Sequence, residues 1–176
     1  MHLEVIRAVA DWLADGTYGV NAKIDTLDLD GSDVAPTDVA DILDETRDGI
    51  AALRNLPDDT TVPVLCVFMP SDAQFSAVNQ GKQDADTFPV WIAYLDRDTA
   101  AADAIRDASY VLRAVRKSLN EFHKGTAGAI AARLRNGIEI RNGNIRMSLI
   151  RPSTELGATA IVMAVQVLYA VRDTDP

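Results

Sequence analysis

The chain has 176 residues, of which 48% are hydrophobic and 24% are charged, and its formal net charge is −9. This length suits one domain with a sizeable core, and the composition excludes a disordered or collagen-like chain. The apolar runs fall short of the roughly 20 residues of a membrane-spanning helix, and the first residues lack the basic and apolar blocks of a signal peptide. We therefore expect one soluble domain over residues 1–176.

The charges are divided unevenly along the chain. Residues 1–96 contain 18 acidic and 5 basic residues, whereas residues 97–151 contain 5 acidic and 11 basic residues. A GC-rich genome or a saline habitat would explain such a composition. The same division would also suit self-association through complementary patches, or contact with nucleic acid on one face.

The first third of the chain predicts two helices. Apolar residues recur at helical spacing over residues 2–15 and stop at Gly16, which predicts the first helix. After a loop and a short extended piece, "PTDVADILDETRDGIAALRNLP" (36–57) predicts the second, with Thr37 as its cap. The turn "DLDGSD" (28–33) lacks the ligand order and terminal glutamate of a calcium loop, so we expect an acidic turn there.

Two strands and a long loop are predicted next. The runs "TVPVLCVFMP" (61–70) and "FPVWIAYLD" (88–96) are apolar, β-branched and aromatic, which predicts strands. The single cysteine, Cys66, lies in the first run and is expected to be a buried thiol. The polar stretch 71–88 between the two runs predicts a long loop, and loops of this length are usually functional or mobile.

The strongest helical pattern covers residues 99–123. A continuous apolar stripe runs along it, with acidic residues in the first half and cations in the second, as the helix dipole favours. Asp98 and Thr99 stand at its start, which predicts that one of them caps the helix.

The remaining residues predict further strands and complete the fold class. The pairs Asn136-Gly137 and Asn142-Gly143 flank "IEIR" and indicate tight hairpin turns. Residues 144–152 alternate apolar and polar side chains, and residues 158–173 form a long apolar run. The order of elements predicts an α+β fold: a mostly antiparallel or mixed β-sheet with a long helix and one or two further helices packed on it.

The sequence offers little that indicates catalysis. It has two histidines and none of the zinc, phosphate-loop or nucleophile-elbow motifs. Asp96 and Asp98 form the one candidate carboxylate pair for acid–base chemistry, so a small α+β enzyme that uses them remains an alternative. Because capping explains Asp98 better, we expect no catalytic residue, metal or cofactor. The arginines of 97–151 lack interleaved aromatic residues, which argues against sequence-specific recognition of nucleic acid.

Three stretches together suggest a family: "WLADGTYGVNAKIDTL", then "FPVWIAYLDRDTAAADAIRDASYVLRAVRKSL", then the closing "YAVRD". This succession resembles the neck and tail-completion proteins of long-tailed bacteriophages, above all the tail terminator (head–tail joining) group. The resemblance spans most of the chain and rests on packing patterns.

The resemblance implies a structural virion protein. Members of this family form a ring, commonly a hexamer, that sits on the tail tube, stops its polymerisation and docks to the head connector. DNA passes through the lumen without sequence recognition. The implied location is the tail or neck of the virion, after assembly in the host cytoplasm and without a membrane partner. A monomeric or dimeric adaptor or a tail-assembly chaperone remains an alternative.

The charge division predicts which surfaces would meet in such a ring. A head-to-tail contact joins two different surfaces of neighbouring copies. We expect the basic face of the long helix in one copy to meet the acidic part of the next. The predicted interface residues are the cations Arg106, Arg113, Arg116 and Lys117 and the acids Asp41, Asp44 and Asp48.

Overall fold

The computed structural model of the protein describes residues 2–31, 33–45, 51–52, 55–69, 76–79, 84–97, 101–124, 138–141, 148–150 and 159–171. Its helices are α1 (His2–Leu13), α2 (Val20–Ile24) and α3 (Ala101–Lys124). Its strands are β1 (Asp41–Glu45), β2 (Val64–Phe68), β3 (Ser76–Asn79), β4 (Asp84–Asp96), β5 (Ile138–Arg141), β6 (Ser148–Ile150) and β7 (Thr159–Val171). The predicted α+β class, with a long helix packed on the sheet, is confirmed.

All of these strands belong to one mixed sheet with the order β1-β2-β4-β7-β5. β1 pairs with β2 in parallel, and the other pairs are antiparallel. The centre consists of β4 and β7, which pair from Ala85–Ala170 to Asp96–Thr159. β2 and β3 lie end to end along one side of β4, while β6 and β5 lie end to end along the far side of β7.

Side chains are buried on both faces of the sheet. Successive residues of a strand point to opposite faces, and all five residues of β2 are buried. Leu65 and Val67 face the cluster that contains the helices, whereas Cys66 faces a second cluster. The second cluster consists of Val64, Cys66, Phe68, Ala93 and Leu95, with Leu43, Leu56 and Trp91 at its margin. This two-sided burial explains why β2 is a continuous apolar run and confirms the buried thiol of Cys66.

The helices cover one face with the stripes that the sequence predicts. On α1, Ile6, Val9 and Leu13 are buried, and on α3, Val111 and Val115 are buried. Burying an aliphatic side chain of this size contributes about 1.5–3 kcal/mol, so these stripes dominate the docking of the helices. The predictions of helices over 2–15 and 99–123 are confirmed, with ends at Leu13 and Lys124. The predicted caps Asp98 and Thr99 lie outside the described residues.

The prediction of a second helix over 36–57 is wrong in its first half. Residues Asp41–Glu45 form β1, parallel to β2. Ile42 packs against the cluster under the helices, whereas Leu43 packs against the cluster on the opposite face. In sequence, two adjacent apolar residues look the same whether they share one face of a helix or point to opposite faces of a strand. The pair Ile42 and Leu43 was therefore assigned to a helix although it belongs to a strand. Residues 51–52 are helical.

The predictions of a long loop over 71–88 and of an extended piece before residue 28 also need correction. Ser76–Asn79 is β3, and β4 begins at Asp84, so part of the polar stretch pairs as a hairpin. Backbone hydrogen bonds hold these strands whatever the polarity of their side chains, so a polar sequence does not exclude them. The supposed extended piece contains the short helix α2. The other predicted strands are confirmed at Val64–Phe68, Ile138–Arg141, Ser148–Ile150 and Thr159–Val171.

Candidate interaction surface

Two of the predicted interface cations contact an acid-rich segment of their own chain. Arg113 Nη2 donates to the carbonyl oxygen of Asp28 at 3.2 Å, and its Nη1 lies 3.8 Å from Asp30 Oδ2. One turn further along α3, Lys117 Nζ donates to the carbonyl oxygen of Thr26 at 3.0 Å. The segment of residues 25–33, here called the acidic segment, is therefore tied to the basic face of α3.

Tyr110 is the centre of this contact. Its hydroxyl donates to Asp33 Oδ2 at 2.6 Å and accepts from the backbone N–H of Asp30 at 3.0 Å. The hydrogen bond to Asp33 raises the pKa of Tyr110 above its ordinary value. Arg113 lies over the same ring, 5.4 Å from its centroid. The turn between Asp30 and Asp33 uses Gly31 at a φ of 61°, a conformation that favours glycine.

Arg106, the third predicted cation, is engaged within α3 itself. Its Nε and Nη2 donate to Asp107 Oδ1 at 3.0 and 2.9 Å, and its Nη1 donates to Asp103 Oδ1 at 3.1 Å. The hydrogen bond to Asp107 raises the pKa of the guanidinium above its ordinary value. Arg116, the fourth, is exposed to solvent. Three of the four cations are thus engaged by carboxylates or carbonyls of the same chain.

The predicted acidic partners lie on a different element. Asp41 and Asp44 are exposed on β1. Asp44 Oδ2 lies 3.2 Å from Arg7 Nε of α1, and Asp41 Oδ1 accepts from the backbone N–H of Ile42 at 2.8 Å. Asp48 lies outside the described residues. Within one copy, the contacts of Asp41 and Asp44 are thus separate from those of Arg106, Arg113 and Lys117, and contact between copies stays a prediction.

Two carboxylates near Tyr94 are buried, Asp96 at the end of β4 and Asp107 on α3. Asp96 is 4% exposed and Asp107 is 8% exposed. The Tyr94 hydroxyl lies 3.5 Å from Asp96 Oδ2. Burial, reinforced by the charges of Asp96 and Asp107, raises the pKa of Tyr94 well above its ordinary value. Asp98 lies outside the described residues. A carboxylate this deeply buried is poorly placed to reach a substrate, so the geometry of Asp96 fits a structural role at the junction of β4 and α3.

The described ranges contain neither a cluster of metal ligands nor a membrane-spanning helix. Among the residues that the structure describes, no three histidine, cysteine, aspartate or glutamate side chains come together as a metal site. None of the helices in the described part of the chain is long and apolar enough to cross a bilayer.

Reasoning from the sequence missed Tyr110 and the acidic segment as partners. Tyr110 lies near the apolar stripe of α3 in the sequence, and in the structure it is only 4% exposed. Only its hydroxyl reaches Asp33, which is 77 positions away in the chain. The one available signal was the coincidence of an acid-rich turn with a helix whose opposite face is basic.

The comparisons with known proteins found no relative. No protein family, curated protein sequence or solved structure matches this chain.

Proposed function

We propose that this chain is a structural virion subunit of a long-tailed bacteriophage. In this proposal it forms a ring, a hexamer in the commonest arrangement, that terminates the tail tube and joins it to the head connector. The chain belongs to the tail or neck of the virion and has no catalytic role. The alternative of a monomeric or dimeric adaptor or assembly chaperone differs in that such a protein would be absent from finished particles.

The observation that supports this proposal most is the unit formed by β4 and α3. The stretch on which the family resemblance rests covers the second half of Asp84–Asp96 and most of Ala101–Lys124. β7, which contains the closing "YAV", pairs with β4 along almost its whole length. Two of the three stretches that resemble the family thus fall in β4, α3 and the end of β7, while the first covers the end of α1, the following loop and α2.

The charge of the chain also agrees with a conduit for DNA. A net charge of −9 per subunit makes the assembled ring strongly acidic. Phosphate backbones bind proteins through clustered cations and are repelled by acidic surfaces. In addition, Arg106, Arg113 and Lys117 already contact groups of their own chain. An acidic ring with few unengaged cations would disfavour tight binding of the DNA that passes through it.

The proposal is tested on growing tail tubes. The purified chain is added to polymerising tail tube protein of a long-tailed bacteriophage, and tube length and tube ends are measured by electron microscopy. We expect added protein to stop elongation and to form a ring at one end of each tube. Tubes that grow equally long with and without the protein would contradict the proposal. Its presence in purified virions separates a terminator from a chaperone.

A further inference from the structure

The acidic segment lies across the basic face of α3 and is fixed to the core beyond both of its ends. On one side, α2 ends at Ile24, which is buried. On the other side, Val39 is buried, its backbone N–H donates to Asn21 Oδ1 at 2.9 Å, and its carbonyl oxygen accepts from Asn21 Nδ2 at 3.0 Å. These contacts hold the points where the chain leaves the core and returns to it, so they do not depend on the position of the segment between them.

The middle of the acidic segment is held to α3 by polar contacts. Among the described residues, the hydrogen bonds that join the stretch from Asp28 to Asp33 to other elements all go to Tyr110 and Arg113. In the ion pair with Arg113, the side chains of Asp30 and Arg113 are 86% and 46% exposed. Because water screens exposed ion pairs, such pairs are weak. The middle of the segment can therefore leave α3 while the buried residues at its ends stay in place.

The groups that the segment places on α3 resemble those of a phosphate backbone. Arg113 and Lys117, one turn apart, each donate to a carbonyl oxygen of the segment, and Tyr110 donates to a carboxylate. Arginine, lysine and tyrosine are among the side chains that donate to phosphate oxygens in complexes with DNA, without reading the bases. Arg116 is exposed on the same stretch of α3. Uncovered, this face would present a hydroxyl and three cations to a polyanion.

The composition of this face favours DNA over a protein partner. The centres of stable protein interfaces are largely apolar, whereas interfaces with DNA are more polar and more basic. Among the α3 residues whose exposure the structure describes, Ile105 is the one large hydrophobic side chain that is exposed, at 48%. The face therefore offers cations without an apolar centre, which fits the phosphates of duplex DNA.

We propose that the acidic segment is an intramolecular competitor of DNA: it occupies the phosphate-binding face of α3 and so weakens the binding of duplex DNA by this chain. A ligand whose site is free only part of the time binds with an affinity reduced by that fraction. This inference rests on the proposed function, in which DNA passes through the ring, and it names the device that keeps the subunit from holding that DNA.

Binding of a labelled DNA duplex, measured by fluorescence anisotropy at one low salt concentration, tests the competition. The variant Asp30→Asn with Asp33→Asn removes the carboxylates that contact Arg113 and Tyr110. We expect it to bind the duplex about tenfold more tightly than the natural chain does. The matched control is Asp58→Asn with Asp59→Asn, since both residues are exposed and the net charge changes equally. We expect the control to stay within about twofold of the natural chain.

Two further variants separate release of the segment from a change in net charge. Tyr110→Phe removes the hydroxyl that contacts Asp33 and the Asp30 backbone and leaves the charge unchanged. We expect a smaller gain of about threefold, because the contacts of Arg113 and Lys117 remain. Adding Arg113→Gln and Lys117→Gln to the double asparagine variant should abolish its gain. Amide hydrogen exchange verifies release: exchange over residues 25–33 should rise in both segment variants and not in the control.

The outcomes separate this inference from the proposed function. Equal gains in the double asparagine variant and its control, or faster exchange without any gain, would overturn the competition. Unchanged exchange in both segment variants would overturn the part assigned to these contacts. A gain for polyglutamate but not for the duplex would overturn DNA as the partner. In each of these cases a natural chain that still stops tube growth keeps the terminator role. The expected gains in a chain that leaves tube growth unchanged would support the competition and overturn the terminator role.

Discussion

At the scale of single residues, Trp12 connects α1, the following loop and α3. Its Nε1–H donates to the carbonyl oxygen of Ser118 at 3.0 Å, and its ring stacks on Tyr18 with centroids 5.2 Å apart. Ser118 Oγ in turn donates to the carbonyl oxygen of Tyr18 at 2.7 Å. The loop is further constrained at Gly19, where a Cβ would collide with the backbone oxygens of Leu13 and Asp15.

Replacement of Trp12 tests this connection. Trp12→Phe keeps an aromatic ring but removes the indole donor, and we expect a loss of about 1–2 kcal/mol in the free energy of unfolding. Urea denaturation followed by far-UV circular dichroism measures the loss. The matched control is Trp91→Phe, because Trp91 is partly exposed and meets Phe68 edge-on at 6.0 Å. We expect the control to cost less than about 1 kcal/mol. Equal losses in the two variants would contradict the role of Trp12.

Tyr94 makes the stability of the protein dependent on alkaline pH. Its raised pKa keeps the hydroxyl protonated in the folded state when the hydroxyl of the unfolded chain already ionises, near pH 10. Above that pH the unfolded state binds fewer protons than the folded state. The contribution of Tyr94 to the free energy of unfolding is therefore fully present below about pH 10 and falls as the pH rises above it. The slope from one such group is at most about 1.4 kcal/mol per pH unit.

The variant Tyr94→Phe removes this ionisation. We expect the free energy of unfolding of the variant to fall less steeply above about pH 10 than that of the natural chain. Near pH 7, where the hydroxyl does not titrate, the comparison gives the cost of losing the hydroxyl alone. The pH dependence is measured by urea denaturation at a series of pH values. If the free energy of unfolding falls equally steeply with pH in the two proteins, Tyr94 does not contribute to the pH dependence of stability.

At the scale of secondary-structure elements, the basic side of α3 is tied to the loops and helix before β1. Lys23 of α2 lies 2.8 Å from Glu121 of α3, and Lys23 also lies over the Tyr18 ring at 5.8 Å. Together with the contacts of Tyr110 and Arg113, these interactions follow α3 for several turns. The cations Arg113 and Lys117 of α3 thus have carbonyl partners in the same chain, and the acidic Glu121 of α3 has a cationic partner there.

A double-mutant cycle measures the pair of Lys23 and Glu121. Their side chains are 13% and 35% exposed, whereas those of Arg7 and Asp44 are 58% and 44% exposed. Because screening by water weakens exposed pairs, we expect a coupling of about 0.5–1 kcal/mol for Lys23→Gln with Glu121→Gln. The matched cycle at Arg7 and Asp44 should give less than about 0.3 kcal/mol. The prediction fails if the exposed pair couples as strongly as the half-buried one.

The elements differ in how far their sequence reveals them. α3 was predictable because its buried residues all face one side, so burial and helical period coincide. β1 was not, since Ile42 and Leu43 serve opposite faces of the sheet. β3 and the start of β4 were not predictable either, because their pairing rests on backbone hydrogen bonds and produces no hydrophobic pattern in a polar sequence. The partners of the α3 cations could not be foreseen either, because Tyr110 and Arg113 meet residues that are distant in the chain.

At the scale of the whole molecule, the sheet is not built in the order of the chain. β7 is the last strand in sequence, yet it lies between β4 and the edge formed by β5 and β6. Among the residues that the structure describes, β5 and β6 pair only with β7. These two strands therefore depend on β7 for their place in the sheet, through contacts between residues that are distant in the chain.

Truncation tests this dependence. We expect a chain that ends at residue 158 to lack a cooperative thermal transition, because β4 loses its longest partner and β5 and β6 lose theirs. The matched control ends at Val171 and keeps all of β7, so it should unfold with a transition close to that of the full chain. Circular dichroism during heating measures both. A cooperative transition in the shorter chain would show that β7 is not required.

The central position of β7 also delays completion of the sheet during synthesis of the chain. After Asp96 leaves the ribosome, the chain must extend by more than 60 residues before Thr159, its pairing partner, is made. At ribosomal rates of roughly 5–20 residues per second, β4 waits several seconds with one side unpaired. During that interval β5 and β6, which are made before β7, also lack the strand with which they pair. The sheet can therefore be completed only after β7 has been made.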